Sequence, residues 1–245
     1  MVDLHTHSRY SFDTEREPAT ITQMADAAIL TGVDVLAVTD HYDIFRKAAP
    51  IRYDIAAVQR DIDTAQPNYC GRVELLKGIE LGQPHANPSL AQEILTGFSF
   101  DVVIGSLHAM PDDIDFYDQD YDHIDCDALL RGYFAEVVRM EEYGGFDVLA
   151  HLDYPLRVMK RPNNEPSFDN YMEHILPVLR LAVSRGYALE CNAATLFGWK
   201  KQPGPDRWIF RRIPPTRRYP CQLGQRCTPR TRYRTRFPSI SRLSA

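Results

Sequence analysis

The stretch VDVLAVTDH, residues 33–41, decides the fold. Positions 35–38 are apolar without a break, and the run ends on Thr39, Asp40 and His41. A strand with one face in water alternates apolar and polar residues. A strand covered on both faces can be apolar throughout, which is the pattern of a parallel sheet. The same form recurs in VDLH (2–5), VELLKGIE (73–80), FDVVIGSLH (100–108), FDVLAH (146–151) and YALECN (187–192). Between these runs lie stretches with helical spacing and fitting start and stop signals. TITQMADAAILTG (20–32) opens on Thr and closes on Gly, CDALLRGYFAEVVRMEEYGG (126–145) closes on Gly-Gly, and FDNYMEHILPVLRLAVSRG (168–186) closes on Gly with Pro177 inside it. Shorter helices are expected over 53–66 and 89–97. Strand and helix alternating about six times predict an α/β fold on a parallel sheet.

At 245 residues and 44% hydrophobic content, the chain suits one large domain with a sizeable core. No run approaches the roughly 18 apolar residues of a membrane span, and no basic segment precedes an apolar one at the N-terminus. No membrane association, no signal peptide and a cytoplasmic location are therefore expected. The five cysteines, Cys70, Cys126, Cys191, Cys221 and Cys227, are odd in number and form no C-x-x-C pair, so reduced thiols are expected. The net charge of −5 hides a split: residues 1–206 carry 17 basic and 33 acidic groups, and the remaining 39 carry 11 arginines and no acid. The acidic, aromatic stretch 111–127 has no period and reads as a solvated loop over the site.

The predicted strands end on His5 and His7, His41, Glu80, His108 and His151. In a parallel α/β barrel all strand C-termini open on one face, so these side chains converge. Residues i and i+2 of a strand project the same way, so His5 and His7 can grip one cation while Thr6 points elsewhere. Glu80 closes a hydrophobic strand, where a bare carboxylate is costly, and a metal is its natural partner. Imidazole with carboxylate suits zinc, manganese or iron, and more than four ligands favour a multinuclear centre with a bridging carboxylate. His85, His123 and His174 fall in loop or helix and read as surface residues.

VDLHTHSRYSFD, LAVTDH, GIELG, GSLHAM and LAHLDYP resemble the successive motifs of the polymerase-and-histidinol-phosphatase (PHP) superfamily over roughly residues 1–212, and the opening most resembles its stand-alone histidinol-phosphate phosphatases. The resemblance implies a distorted seven-stranded (β/α) barrel of TIM type and three divalent metal ions. It implies hydrolysis of L-histidinol phosphate to L-histidinol and phosphate in histidine biosynthesis, with water attacking phosphorus in line. By position, His5, His7 and Glu80 would hold the first metal, Glu80, His108 and His151 the second, and Asp13 and His41 the third. Glu80, Asp13 and His41 would stand closest to the reacting atoms. Arg157, with Lys160 and Arg161 behind it, would bind the substrate's phosphate. Asp40 and Asp153 would orient the neighbouring ligands.

The family's last motif, G-S-D-A-H, whose Asp and His complete the first and third metals, is missing: no Asp follows Asp206 and no His follows His174. Residues 213–245 form an Arg- and Pro-rich tail without helical or strand period. We read it as a shifted frame. LGQRCTP, Leu223 to Pro229, can be encoded CTG GGG CAG CGA TGC ACA CC-, and dropping the first base gives W-G-S-D-A-H. Residues 1–212 are then the phosphoesterase barrel, its last strand and helix garbled, and the chain as written is expected to retain fewer metals and to turn over poorly. Two other readings stand beside this one. A different phosphoesterase, acting on phosphotyrosine or nucleic-acid 3′ ends, is disfavoured for polynucleotides by the acidic barrel. A non-catalytic barrel with a basic nucleic-acid-binding tail leaves the codon pattern unexplained.

Overall fold

The computed structural model describes residues 1–159, 168–193, 204, 205 and 209, with the backbone alone at Arg157, Val158 and Phe168. Lys160, Arg161 and the tail 213–245, with its shifted-frame reading, lie outside the described residues.

Among the described residues, seven strands form one all-parallel sheet: β1 (Val2–Thr6), β2 (Val35–Val38), β3 (His41–Asp43), β4 (Glu74–Gly82), β5 (Val102–Ser106), β6 (Val148–Leu149) and β7 (Ala188–Leu189). The order is β1-β2-β4-β5-β6-β7, with β3 also on β4. Helices α1 (Ile21–Thr31), α2 (Ile55–Tyr69), α3 (Pro88–Gly97), α4 (Cys126–Tyr143), α5 (Tyr154–Val158) and α6 (Met172–Arg185) connect them. The start and stop residues act as expected. Thr20 caps α1 in a capping box with Gln23, and Gly32 and Gly186 end α1 and α6 at φ +74° and +77°.

The apolar runs fill two layers. In β2, Val35 and Ala37 join Leu76, Val102, Ile104, Val148 and Ala150 in an inner cluster, while Leu36 and Val38 pack with Ile21, Ala25, Val58 and Ile62 under α1 and α2. Both faces of the strand are therefore dry, which is why its sequence does not alternate. The sheet curls around the inner cluster far enough for Glu190, just past β7, to reach His5 in β1 at 2.7 Å. This is the TIM-like curl expected, as a partial barrel among the described residues.

Four expectations need correction. First, VDVLAVTDH is two strands, Val35–Val38 and His41–Asp43; Thr39 and Asp40 between them still bond the neighbouring strands, the Thr39 N–H donating to the Thr6 carbonyl (2.8 Å) and the Asp40 carbonyl accepting from the Glu80 N–H (3.1 Å), while the buried Asp40 carboxylate accepts from the Ser8 backbone N–H (2.5 Å) and Oγ (2.7 Å). Asp40 thus organises the loop after His7 rather than orienting His41. Second, the 111–127 segment is not all solvated: Phe116 is fully buried against Tyr133. Third, His85 is largely buried against Glu136, although His123 is exposed as expected. Fourth, Cys70 is disulfide-bonded, whereas Cys126 and Cys191 carry free thiols.

Candidate metal centre

The centre sits where the strands end. The inner-cluster residues Leu76, Val102, Ile104 and Val148 form a floor, and the next inward positions rise above it. On β4 that position is Glu80, two pleats beyond Leu76 and wholly buried. Gly82 follows it because a Cβ there would overlap the Asp43 carboxylate. In β1, Leu4 packs on the inner cluster, so regular alternation would send His5 outward. A register shift between Asp3 and Thr6 turns both histidines inward instead. Thr6 donates its hydroxyl to the Ala37 carbonyl at 2.6 Å, away from the centre.

Five imidazoles surround the one carboxylate. His5 Nε2, His7 Nε2 and His41 Nδ1 stand 3.0, 3.1 and 3.1 Å from Glu80 Oε2. His108 Nε2 and His151 Nε2 stand 3.2 and 2.9 Å from Oε1. Each of the six strand-end residues singled out in the sequence is therefore in one cluster. Asp13, from the loop after β1, bonds His7 Nδ1 at 2.7 Å and lies 3.8 Å from His41 Nε2. Arg157 lies on α5, next to the centre in sequence, but its side chain is outside what the structure describes. Asp153 is buried where Gly204 approaches it so closely that a Cβ would overlap its carboxylate.

Three further residues take part. Asp43 holds His108 Nδ1 at 2.6 Å. Glu190 holds His5 Nδ1 at 2.7 Å and accepts the His151 backbone N–H at 2.6 Å. Tyr154 packs its ring on His108 and His151 and donates its hydroxyl to Asp115 at 3.0 Å, tying the acidic loop to the centre. Asp13, Asp43 and Glu190 each engage an Nδ1, and the Nε2 atoms of His7, His108 and His5 face inward. Such carboxylate–histidine pairs accompany metal-ligating imidazoles.

The electrostatics match. Burial would raise the Glu80 pKa, but His5, His41 and His108 outweigh it and hold the carboxyl well below its ordinary range. Glu190 and Asp13 are each held at about 2, against burial, by His5 and His7 respectively. Burial lowers His5 and His7, yet the facing carboxylates push them up to about 10 and about 9. His41 and His151 are lowered by burial.

His7 Nε2, His41 Nδ1 and Glu80 Oε2 are buried and have no hydrogen-bond partner of acceptable geometry. Orphaned buried polar atoms are rare, and these three lie together at one locus. Four overlapping triads have ligand atoms within 4.8 Å of one another: His5–His7–Glu80, His7–Asp13–His41, His41–Asp43–His108 and Glu80–His108–His151. The residues present fit divalent metal ions of the zinc, manganese or iron type.

A curled parallel sheet whose strand ends gather imidazoles around a buried carboxylate has the make-up of a barrel-type metal-dependent hydrolase. The chain belongs to the PHP domain family, whose model matches residues 3–194. Among its relatives, a "Probable histidinol-phosphatase" of Deinococcus radiodurans is 28% identical over 219 residues, covering 84% of this chain and 79% of the relative. One of the same name from Thermotoga maritima is 27% identical, covering 85% and 76%. The crystal structure of histidinol phosphate phosphatase from Lactococcus lactis, complexed with zinc, L-histidinol and phosphate, shares the fold at a TM-score of 0.70 and 23% identity, over 78% of this chain and 73% of that one. No helix among the described residues is long and apolar enough to cross a membrane.

Proposed function

We propose that this protein is a metal-dependent phosphomonoesterase that hydrolyses L-histidinol phosphate to L-histidinol and phosphate, a step of histidine biosynthesis in the cytoplasm. The convergence of five imidazoles on Glu80 carries the hydrolytic reading, and the relatives' names support the substrate. Residues 1–212 are the catalytic unit, and 213–245 contribute nothing to it as written. His5, His7 and Glu80 would hold one ion, Glu80, His108 and His151 a second, and Asp13 with His41 a third. Bound there, such ions supply Lewis-acid chemistry that activates water and neutralises the phosphoryl oxygens.

The chain's own groups do the remaining work. Glu80 stays ionised and spans the centre with both oxygens. Asp43 and Glu190 fix the ring orientation of His108 and His5. Arg157 binds the phosphoryl oxygens as a planar two-pronged donor. Tyr154 walls the centre from the side of the acidic loop.

The test is phosphate release from L-histidinol phosphate by the chain as written and by a chain with the one-base shift corrected, beside phosphotyrosine and a 3′-phosphorylated oligonucleotide, with metal content measured on each. We expect the corrected chain to prefer L-histidinol phosphate and to carry more metal than the chain as written. Failure of the corrected chain on all three substrates refutes the proposal.

A further inference from the structure

Gln83 directly follows the end of β4, is buried, and plays no part in the chemistry above. Its backbone is left-handed, at φ +47° and ψ +50°. Residues with a Cβ rarely adopt that region, and the residue before a proline favours an extended backbone, yet Pro84 comes next. A costly conformation persists where its surroundings over-determine it, and such places cluster at functional sites. The contacts of Gln83 show what holds it there.

Its backbone N–H donates to the Ser106 carbonyl at 2.9 Å, where the pairing of β4 with β5 runs out. Beyond Ser106 the His108 amide has left the sheet, and its hydrogen goes to Gln83 Oε1 at 2.5 Å. The Ala109 N–H shares that oxygen at 3.4 Å. On the other side, Gln83 Nε2 reaches the Ile44 carbonyl at 3.5 Å, and the Ile44 N–H donates to the Gly82 carbonyl at 3.0 Å. Two N–H groups call for an acceptor and one carbonyl for a donor. A primary amide serves both, whereas a carboxylate keeps the first and loses the second.

His108 is what this arrangement fixes. Its N–H is held by Gln83, its carbonyl accepts the Phe116 N–H at 2.9 Å, and its Nδ1 is held by Asp43 at 2.6 Å. Asp43 immediately precedes Ile44, so Gln83 grips the backbone on both sides of the Asp43–His108 pair. The ring then stands with Nε2 at 3.2 Å from Glu80 Oε1 and 3.3 Å from His151 Nε2. His5 and His7 come from the β1 side, which is built on the pairing with β2.

We propose that Gln83 is a positioning residue of the metal centre: it sets the place of His108 against Glu80 and His151, and so governs the ion those three would hold and not the ion of His5 and His7. The inference rests on the metal-dependent reading above and deepens it.

The experiment titrates the metal-free full chain with zinc against a chromophoric chelator, in the unmodified protein and four variants. His108→Ala and His5→Ala identify the zinc equivalents that depend on each histidine. Gln83→Met keeps the side chain's length and lacks the amide. Gln83→Glu keeps the acceptor for His108. We expect Gln83→Met to weaken the His108-dependent equivalent about 10- to 100-fold, and Gln83→Glu to restore most of that affinity. A measurement free of substitutions is the scalar coupling between His108 ¹⁵N and Gln83 ¹³Cδ, which crosses the hydrogen bond and is expected in the unmodified metal-free chain. Absence of that coupling, unchanged zinc affinity in folded Gln83→Met, equal losses in Gln83→Met and Gln83→Glu, or a matching loss at the equivalent that His5→Ala removes overturns the proposal. Phosphate release from L-histidinol phosphate judges the function separately. Selective weakening of zinc without hydrolysis keeps the role of Gln83 and sinks the function. Hydrolysis with zinc binding indifferent to Gln83 does the reverse.

Discussion

Replacing Glu141 with Gln should stabilise the protein in a pH-dependent way. Glu141 lies on α4 with no exposed surface, and neither carboxyl oxygen has a hydrogen-bond partner. Burial pushes its pKa from 4.5 up to about 9, opposed only by the charge of Arg185. The sign follows from linkage. Between those two values the folded chain holds a proton that the unfolded chain has lost, so stability falls as pH rises through that window and is level outside it. At pH 7.5 the solution is about three units above the carboxyl's unfolded pKa of 4.5, and at 1.36 kcal/mol per unit the cost is about 4 kcal/mol. Local opening that wets the carboxylate makes this a ceiling. Gln has the shape of the protonated acid and never ionises. Urea unfolding of both chains at pH 5 and pH 8 measures the effect, and groups that titrate alike in both cancel in the difference. We expect nearly equal stability at pH 5 and a gain of several kcal/mol for Glu141→Gln at pH 8. A difference that does not change with pH refutes the reasoning.

Glu190→Gln weakens the hold on His5 Nδ1 and the His151 backbone, and should cost about 10- to 100-fold in metal affinity with little change in melting temperature, read by competition with a chromophoric chelator. Stripping the metal should abolish phosphatase activity and lower the melting temperature. Reloading zinc should release protons, because His5 and His7 sit at about 10 and 9 and must lose theirs to bind, so affinity drops as pH falls, a trend that titration in weakly buffered solution detects directly. Arg157→Ala should lower kcat/KM by about tenfold or more while leaving metal content intact, which steady-state kinetics beside metal analysis separates.

The strand-end histidines and Glu80 were legible because each terminates an apolar run, and a parallel sheet sends all such termini to one face. His5 and His7 face the centre together, and their inward direction depends on the register shift in β1, which leaves no mark in the sequence. Asp43 and Glu190 went unnoticed because each looks like an ordinary polar residue just beyond a strand. Their meaning comes from contacts with His108 and His5, 65 and 185 residues away. His85 misled for the same reason: its partner Glu136 is 51 residues on, on another element, and nothing local announces the burial. Long-range side-chain pairing is the part of a site that periodicity cannot encode.

The contact between Glu190 and His5 also sets an order of events during synthesis. At about 5–20 residues per second, Glu190 leaves the ribosome roughly 9 to 37 seconds after His5. Throughout that interval the nascent chain exposes the HTH pair and then each later histidine in turn, without the carboxylate that fixes His5. On the proposed reading, a metal met by the emerging chain would lack the Glu190 brace on His5 until the last described strand closes against the first.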